Sequence, residues 1–421
     1  MRYITDWHVH SRYSRACSKD LTLPNIAEAC RRKGIDVVAT GDWTHPQWFQ
    51  HLNEQLEESE DGIYRLKDRH AKGHDVRFML VTEISQIYKR GGKTRRIHNL
   101  VFSPSFEACA KVNAEIDRRG LNRKSDGRPI LGIDSEELYC VLKSIDERII
   151  VVPAHAWTPW YSVFGSKSGF DSLEECYGTM TPYIYAIETG LSSNPWMNWQ
   201  LSCLDSVMLI SNSDAHSTDK LGREANVFDL TAPNYDAFVR MLKEKDRSKF
   251  LYTIEFFPEE GKYHLDGCAT CKFSSVPAKS KRVGGRCPSC KRHLTLGVEY
   301  RVDELADRDA AIVEKTKVPF KSIVPLKEVI GEAFGIGPSS KKVAMEYLRL
   351  TDRIGSEFSI LLDVPIDQII KETTNFSVAE AIRRVREGQV DISPGYDGIF
   401  GTVRIFSKEE RTSGITQSTL I

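Results

Sequence analysis

Six of the eleven histidines in this chain fall at the ends of short apolar runs. The runs are YITDWHV, IDVVAT, RFMLVTEI, RIHNLVF, IIVVPAH, YIYAIET and VMLISNSDAH, all within residues 1–255. Loop or helix-like sequence separates them, which predicts parallel strand–helix units. Almost every run delivers a potential ligand at or just past its C-terminal end: His8 and His10, then Asp42 and His45, then Glu83, His98, His155, Glu188, and finally Asp214 and His216. In a β/α barrel such strand ends converge on one face, where active sites sit. His8 and His10 are two apart in an extended segment and so point the same way. A lone histidine on an apolar run is more often a packed core residue. Six at run ends with interleaved carboxylates instead suit bound divalent ions, with Zn, Mn, Mg or Fe as candidates. Carboxylates shared between ions allow two or three to lie a few ångströms apart, an arrangement that clamps a phosphoryl group and activates water.

At 421 residues the chain has room for two to four domains. No apolar run approaches the ~20 residues of a spanning helix. The start, MRYITDWHVH, lacks the layout of an export signal, so a reducing cytoplasmic setting, near the nucleoid, is expected. Lys plus Arg total 58 and so do Asp plus Glu, a balance that by itself argues weakly against nucleic acid. The balance hides segregation, because residues 261–301 carry nine Lys or Arg against only Asp266 and Glu299. That stretch also holds Cys268-x2-Cys271 and Cys287-x2-Cys290, the spacing of a zinc ribbon with four thiolates closing one structural zinc. Two further basic runs, 86–98 with Arg95 and Arg96, and 118–128, flank ligand-bearing strands and are read as phosphate contacts.

The expected organisation is an α/β barrel over 1–260, a zinc-ribbon module over 261–301 and a mostly helical DNA-binding region over 302–421. In the last, AFGIGPSSKKVA has the form of a helix-hairpin-helix turn whose following helix opens with Lys341 and Lys342. VDISPGYDGIFGTVRIF reads as a turn with a short strand or hairpin, in which Tyr396 is equally a stacking group or a packed turn aromatic.

The DxHxH start, the later Glu, the single histidines and the closing Ser213-Asp214-Ala215-His216 resemble the polymerase-and-histidinol-phosphatase (PHP) family. That resemblance covers about residues 1–255. It implies a distorted seven-stranded β/α barrel with a multinuclear metal centre that hydrolyses phosphate esters. Carried over, His8, His10 and Asp214 would ligate a first ion, Glu83 would bridge, His98 and His155 would ligate a second, and His216 a third. Arg15 and Gly41-Asp42-Trp43 stand where many members have further ligands, so Asp42 or His45 would have to rebuild the third set; a two-ion site is the alternative.

Longer strings, including TGDWTHPQW, PAHAWTPWYSVFGSKSGF and SNSDAHSTDKLGREAN, are similar to a lesion-specific DNA endonuclease branch of that family. The similarity extends to the cysteine module and PGYDGIFG. It implies cleavage 5′ to uracil, hypoxanthine, xanthine or an abasic site, with the damaged nucleotide flipped out. Trp157, Trp160, Tyr161, Phe164 and Ser166, which follow ligand His155, then become candidates for the lesion pocket, together with Ser192, Ser193 and Asn194. Lys220 and Arg223 become candidates to hold the scissile phosphate beside the catalytic Glu83 and Asp214. Two other readings stand beside this one: a small-molecule phosphoesterase, and a DNA-binding scaffold whose metal site has decayed.

Overall fold

The structure, a computed structural model, describes residues 1–67, 76–407 and 409–410. All seven apolar runs form strands. β1 (Arg2–Asp6) is buried from Tyr3 onward, as a central strand covered on both faces must be. It pairs in parallel with β2 (Val37–Ala39). A hairpin, β3 (Leu56–Glu60) and β4 (Ile63–Leu66), precedes β5 (Arg77–Met79), which pairs in parallel with β2. β6 (Val81–Arg90) and β7 (Lys93–Phe102) then run antiparallel in unbroken register from Val81–Phe102 to Arg90–Lys93.

That pairing departs from the expected parallel units. Gly91 and Gly92 have φ of +61° and +73°, so a two-residue hairpin turn joins the strands and leaves no room for a crossover helix. β8 (Ile130–Leu131) and β9 (Ile150–Pro153) complete a four-stranded sheet in the order β8-β6-β7-β9. β10 (Ala186–Glu188) and β11 (Met208–Ile210) form a parallel pair. β12 (Ala225–Asp229) and β13 (Phe250–Glu255) add antiparallel to the far side of β1.

Single contacts link the sheets around the strand ends that carry the ligands. Ala156 N–H donates to the Glu188 carbonyl at 2.9 Å and so joins β9 to β10, while Thr40 N–H on the Met79 carbonyl at 2.9 Å and Ala154 N–H on the His98 carbonyl at 3.0 Å extend the β2–β5 and β7–β9 pairings past their strand ends. Val9 bridges in parallel to Ala215, with Ala215 N–H on the His8 carbonyl and His10 N–H on the Ala215 carbonyl. The fold is thus mixed α/β, with the ligand-bearing strand ends tied edge to edge.

β14 (Asp266–Cys268) and β15 (Phe273–Ser275) form a small hairpin in the cysteine module. β16 (Phe320–Ser322) returns from the C-terminal third to pair with β13, extending the largest sheet. Helices Leu326–Phe334, Lys341–Arg353, Glu357–Leu362, Ile366–Glu372 and Phe376–Arg386 follow. Their apolar faces join the same core as strands β1 to β13, from Leu326 and Val329 to Ile382. A buried Lys33–Glu357 pair at 3.1 Å fixes the helix Glu357–Leu362 against Leu23–Lys33. The cysteine module instead has only a miniature core of Cys268, Cys287 and Leu294. β17 (Asp391–Ser393) and β18 (Thr402–Arg404) close a hairpin around PGYDGIFG, and Tyr396 packs over Gly267, where a Cβ would come within 2.3 Å of its ring. Tyr396 is therefore a packed turn aromatic. No helix among the described residues is long and apolar enough to cross a membrane. Apart from Glu409 and Glu410, residues 408–421 lie outside the described residues.

Candidate metal centre and adjoining cavity

Asp42, His155 and Asp214 each lie just beyond a strand end with left-handed backbone, at φ of +40°, +29° and +47°. Such conformations are costly for non-glycine residues and persist where packing over-determines them, often at functional sites. Gly190, at φ +64°, lets the chain pass His155 where a Cβ would come within 2.5 Å of the histidine Cβ. Gly41, at φ +63°, does the same against the Val9 carbonyl.

These turns deliver two groups of ligands that share one carboxylate. His8, His10, Glu83 and Asp214 form the first, with ligand atoms all within 4.8 Å of one another. His10 Nε2 lies 3.1 Å from Asp214 Oδ1 and 3.4 Å from Glu83 Oε2; His8 Nε2 lies 3.5 Å from both of those oxygens. Glu83, His98 and His155 form the second. Here Glu83 offers its other oxygen, Oε1, at 2.5 Å from His98 Nδ1 and 3.1 Å from His155 Nε2.

The outer nitrogens are held from behind. His8 Nδ1 faces Glu188 at 3.0 Å, His10 Nδ1 faces Asp42 at 3.1 Å and His155 Nδ1 faces Ser162 Oγ at 3.1 Å. Acceptors in those places fix each ring and leave the inner nitrogen unprotonated for a metal. His8 Nε2 is buried with no hydrogen-bond partner, an unmet demand that a cation satisfies. The residues therefore fit divalent metal ions.

The charges agree. Burial alone would push the Glu83 carboxyl up, but His98, Arg128 and His8 hold it well below the usual carboxylate range. Asp214 is likewise held down against burial by His8 and His10. Burial lowers His98 to about 4, only partly offset by Glu83, so that ring is a neutral donor. Arg128 sets Nη1 3.0 Å from Glu83 Oε2; in the sequence it was one member of a basic run, and nothing marked it as central. Glu188 sits at a run end but gave no sign that it would orient a ligand rather than be one.

The third ligand set is not assembled among the described residues, and this corrects part of the sequence reading. Asp42 spends Oδ1 on His10 and Oδ2 on Ser11 and Ser14, on the far side of the ring from the cluster. His45 stacks on Tyr13 at 4.6 Å. His216 lies beside the cluster, its Nδ1 2.9 Å from the Asp214 carbonyl and its ring 4.7 Å from His10, outside both groups. Arg15 points to solvent with Asp126 at 3.4 Å.

Next to the ligands opens a cavity of about 710 Å³. Thr158, Pro159, Trp160, Ser192, Lys220 and Arg223 line one side. Arg223 donates to the Ser213 and Asp214 carbonyls at 2.8 and 3.3 Å, tying this wall to the metal-ligand loop. Lys220 meets Glu328 at 3.4 Å. The rest of the lining, with Phe256, Glu260, Lys262, Tyr263, His264 and Phe400, comes from residues 256–264 and from the turn between β17 and β18. No local pattern in those segments announced that role.

Several expected pocket residues lie elsewhere. Trp157 and Phe164 are fully buried and face each other at 4.9 Å, with Trp157 Nε1 on Asn198. Ser193 donates to the Thr189 carbonyl, and Asn194 caps the helix Pro195–Asn198. Trp157, Phe164 and Ser193 are thus buried in the core, and Asn194 is half-buried at a helix start. Tyr161 covers His98 at 4.6 Å, and Ser166 is exposed away from the cavity lining. Arg95 bonds the Gly169 carbonyl and lies 4.0 Å over Phe170, and Arg96 is half-buried beside it. In the run 118–128, Arg118, Arg119 and Arg123 pair with Glu115, Glu137 and Asp117. Those guanidinium groups serve internal ion pairs, which weakens the reading of both runs as phosphate contacts. Lys341 and Lys342 are exposed past a turn whose Gly335 has φ +65°.

The four module cysteines also converge, with sulfurs within 4.8 Å of one another. Cys268 and Cys290 are 3.8 Å apart, the separation that a tetrahedral zinc with bonds of about 2.3 Å imposes.

Comparison with known proteins places the whole assembly. The MJ0043 C-terminal domain family matches residues 325–389. An uncharacterised protein of Methanocaldococcus jannaschii, MJ0043, is 31% identical over 253 residues, 59% of this chain, and the match spans only 31% of that protein's length. The crystal structure of the lesion-specific endonuclease PfuEndoQ from Pyrococcus furiosus superposes with a TM-score of 0.84 at 31% identity, over 99% of this chain and 100% of that one. An endonuclease Q complexed with a 27-mer duplex carrying an abasic lesion at the active site superposes at 0.85, again at 31% identity and over 100% of both chains. With 31% identity over essentially the full length of both chains, the chain belongs to the endonuclease Q family.

Proposed function

We propose that this chain is a metal-dependent DNA repair endonuclease that hydrolyses the phosphodiester bond 5′ to uracil, hypoxanthine, xanthine or an abasic site. The observation that carries the reading is Glu83, one oxygen in each of two ligand groups, set beside a cavity walled by both aromatics and cations. The solved relatives support the substrate class: one is a lesion-specific endonuclease and the other holds an abasic duplex.

His8, His10, Glu83 and Asp214 would hold one ion, and Glu83, His98 and His155 a second. Bound there, divalent ions supply Lewis-acid stabilisation of phosphoryl oxygens and lower the pKa of water. The chain's own groups do the rest. Glu188, Asp42 and Ser162 fix the imidazoles. Arg128 balances charge at Glu83. Lys220 and Arg223 bind the backbone phosphate from the cavity wall. Trp160, Tyr263 and Ser192 receive the extruded nucleotide, whose size suits the cavity. Lys341 and Lys342 contact flanking phosphates. The chain is read as a PHP-type barrel over 1–260, a zinc ribbon over 261–301 with Cys268, Cys271, Cys287 and Cys290 on one structural zinc, and a helical DNA-binding region over 302–421.

The test is cleavage of end-labelled duplexes, each with one uracil, one hypoxanthine or one abasic site, by purified protein with Mn²⁺ or Mg²⁺. A single cut on the 5′ side of the lesion is expected. Equal cutting of undamaged duplex, or no cutting, overturns the proposal.

A further inference from the structure

We propose that Ile399 and Phe400 are a wedge that enters the DNA duplex where a nucleotide has been drawn into the cavity. The inference rests on the endonuclease reading above and goes beyond it by assigning the surface that opens paired DNA.

Phe400 is 70% exposed and Ile399 39%, on the turn between β17 and β18. A scattered surface hydrophobe needs no explanation, but this pair is neither scattered nor loosely held. Gly395, Gly398 and Gly401 donate their N–H groups to the Glu259, Lys262 and Glu260 carbonyls at 2.8, 2.9 and 3.0 Å. Tyr396 and Ile399 exchange both backbone bonds, at 3.0 and 2.8 Å. Asp397 accepts from Ala269 N–H at 2.6 Å. Gly395 and Gly401 sit so close to this segment that a Cβ would meet the Gly261 carbonyl at 2.5 Å and the Glu259 carbonyl at 2.1 Å. The turn is thus fixed rigidly to the strip 259–262 while its two apolar side chains face water.

Position supplies the second half of the argument. Phe400 lines the same cavity as Lys220 and Arg223. Lys262 Nζ stands 5.7 Å from the Phe400 ring and 5.5 Å from that of Tyr263, placing a cation for a phosphate beside the exposed ring. Extruding a base leaves an unstacked gap, and proteins that kink or open duplexes fill such gaps with apolar side chains held on rigid supports. Trp160 is a poorer candidate, since it is 40% exposed against 70% for Phe400 and its ring meets Tyr263 edge-on at 5.9 Å.

The experiment compares Phe400→Ala with wild type on two substrates: uracil in a fully paired duplex and uracil in a mismatched bubble that is already open. A wedge is needed only for the first. Phe400→Ala should lose about ten- to a hundred-fold more rate on the paired duplex than on the bubble, the range expected when one stacking contact is removed. Phe400→Leu should restore most of that difference, because an apolar filler suffices. Ile399→Ser provides a second, independent variant, and unchanged thermal melting confirms that each protein is folded. Equal losses on both substrates, or no loss on either, overturn the wedge. Wild type that cuts neither substrate overturns the endonuclease reading instead, so the two failures are distinguishable.

Discussion

Among the described residues, metal-ligating side chains gather in two places, and the two are built on opposite principles. The barrel group mixes imidazoles and carboxylates, shares Glu83 between two sets, and leaves His8 Nε2 unsatisfied. It is surrounded by buried polar partners and opens beside a large cavity. The ribbon group is four cysteines and nothing else, on a module whose own apolar core is three residues. A mixed, shared set keeps coordination open to a reacting phosphate, whereas four thiolates close the shell and exchange metal binding for folding energy. Between them lies the cavity, part of whose lining, Lys262 to His264, belongs to the segment leading into the cysteines.

The contrast predicts different failures. Glu83→Gln should cut lesion cleavage by about a thousandfold or more, since one substitution breaks both ligand sets at once. Thermal melting should change little, as glutamine keeps the shape. If the variant still cuts at near wild-type rate, Glu83 is not shared between working ions. Cys287→Ser should do the reverse. Zinc content should fall by one ion per chain and the module should unfold, with duplex cleavage down about a hundredfold or more as the Lys262–His264 part of the cavity lining is lost. Hydrolysis of a small activated phosphodiester should persist, which total inactivity toward that ester would contradict.

Glu188→Gln probes the support behind the barrel ligands. Its carboxylate accepts from Asn212 and from the His155 N–H while facing His8. Partners of this kind set ring orientation and ligand basicity, so cleavage and metal affinity should each drop about ten- to a hundred-fold. Metal titration of the variant separates the two effects. Unchanged affinity would mean that His8 is oriented without Glu188.

Much of the barrel cluster was legible because period and residue type act locally. An apolar run ending in histidine makes a strand with a ligand at its tip, and His8, His10, Glu83, His98, His155 and Asp214 all came together as that logic required. The cysteine spacing was equally direct. What sequence could not separate was a ligand from the group behind a ligand: Asp42 and Glu188 have the same chemistry as Glu83 and Asp214, and only the fold decides which side of an imidazole each occupies. Arg128 was hidden for a similar reason, inside a run whose other arginines pair on the surface. The two glycines of Arg90-Gly91-Gly92-Lys93 did signal a hairpin, against the expectation of parallel units. The aromatic part of the cavity lining was illegible because Phe256, Tyr263 and Phe400 reach it through tertiary packing, which no local pattern encodes.

The seam between the two regions offers the smallest and most specific test. Burial pushes the Glu260 carboxyl up to about 7, with Glu328 adding to the shift and Lys220 opposing it. In the unfolded chain the same group titrates near the ordinary glutamate value of about 4.3. Between those values the folded state holds a proton that the unfolded state has released, so stability falls as pH rises through the window and levels off above about 7. Glu260→Gln removes the titration and leaves the shape. The variant should therefore match wild type near pH 4 and exceed it at pH 8, by about 1–2 kcal/mol once the part of the side chain still facing water is discounted. Denaturant midpoints at the two pH values read the difference. A gain of equal size at both would show that glutamine packs better at the seam without any proton being involved. A gain only at high pH would establish that the wall joining barrel and ribbon is held together partly by a protonated carboxyl, which neither metal cluster uses.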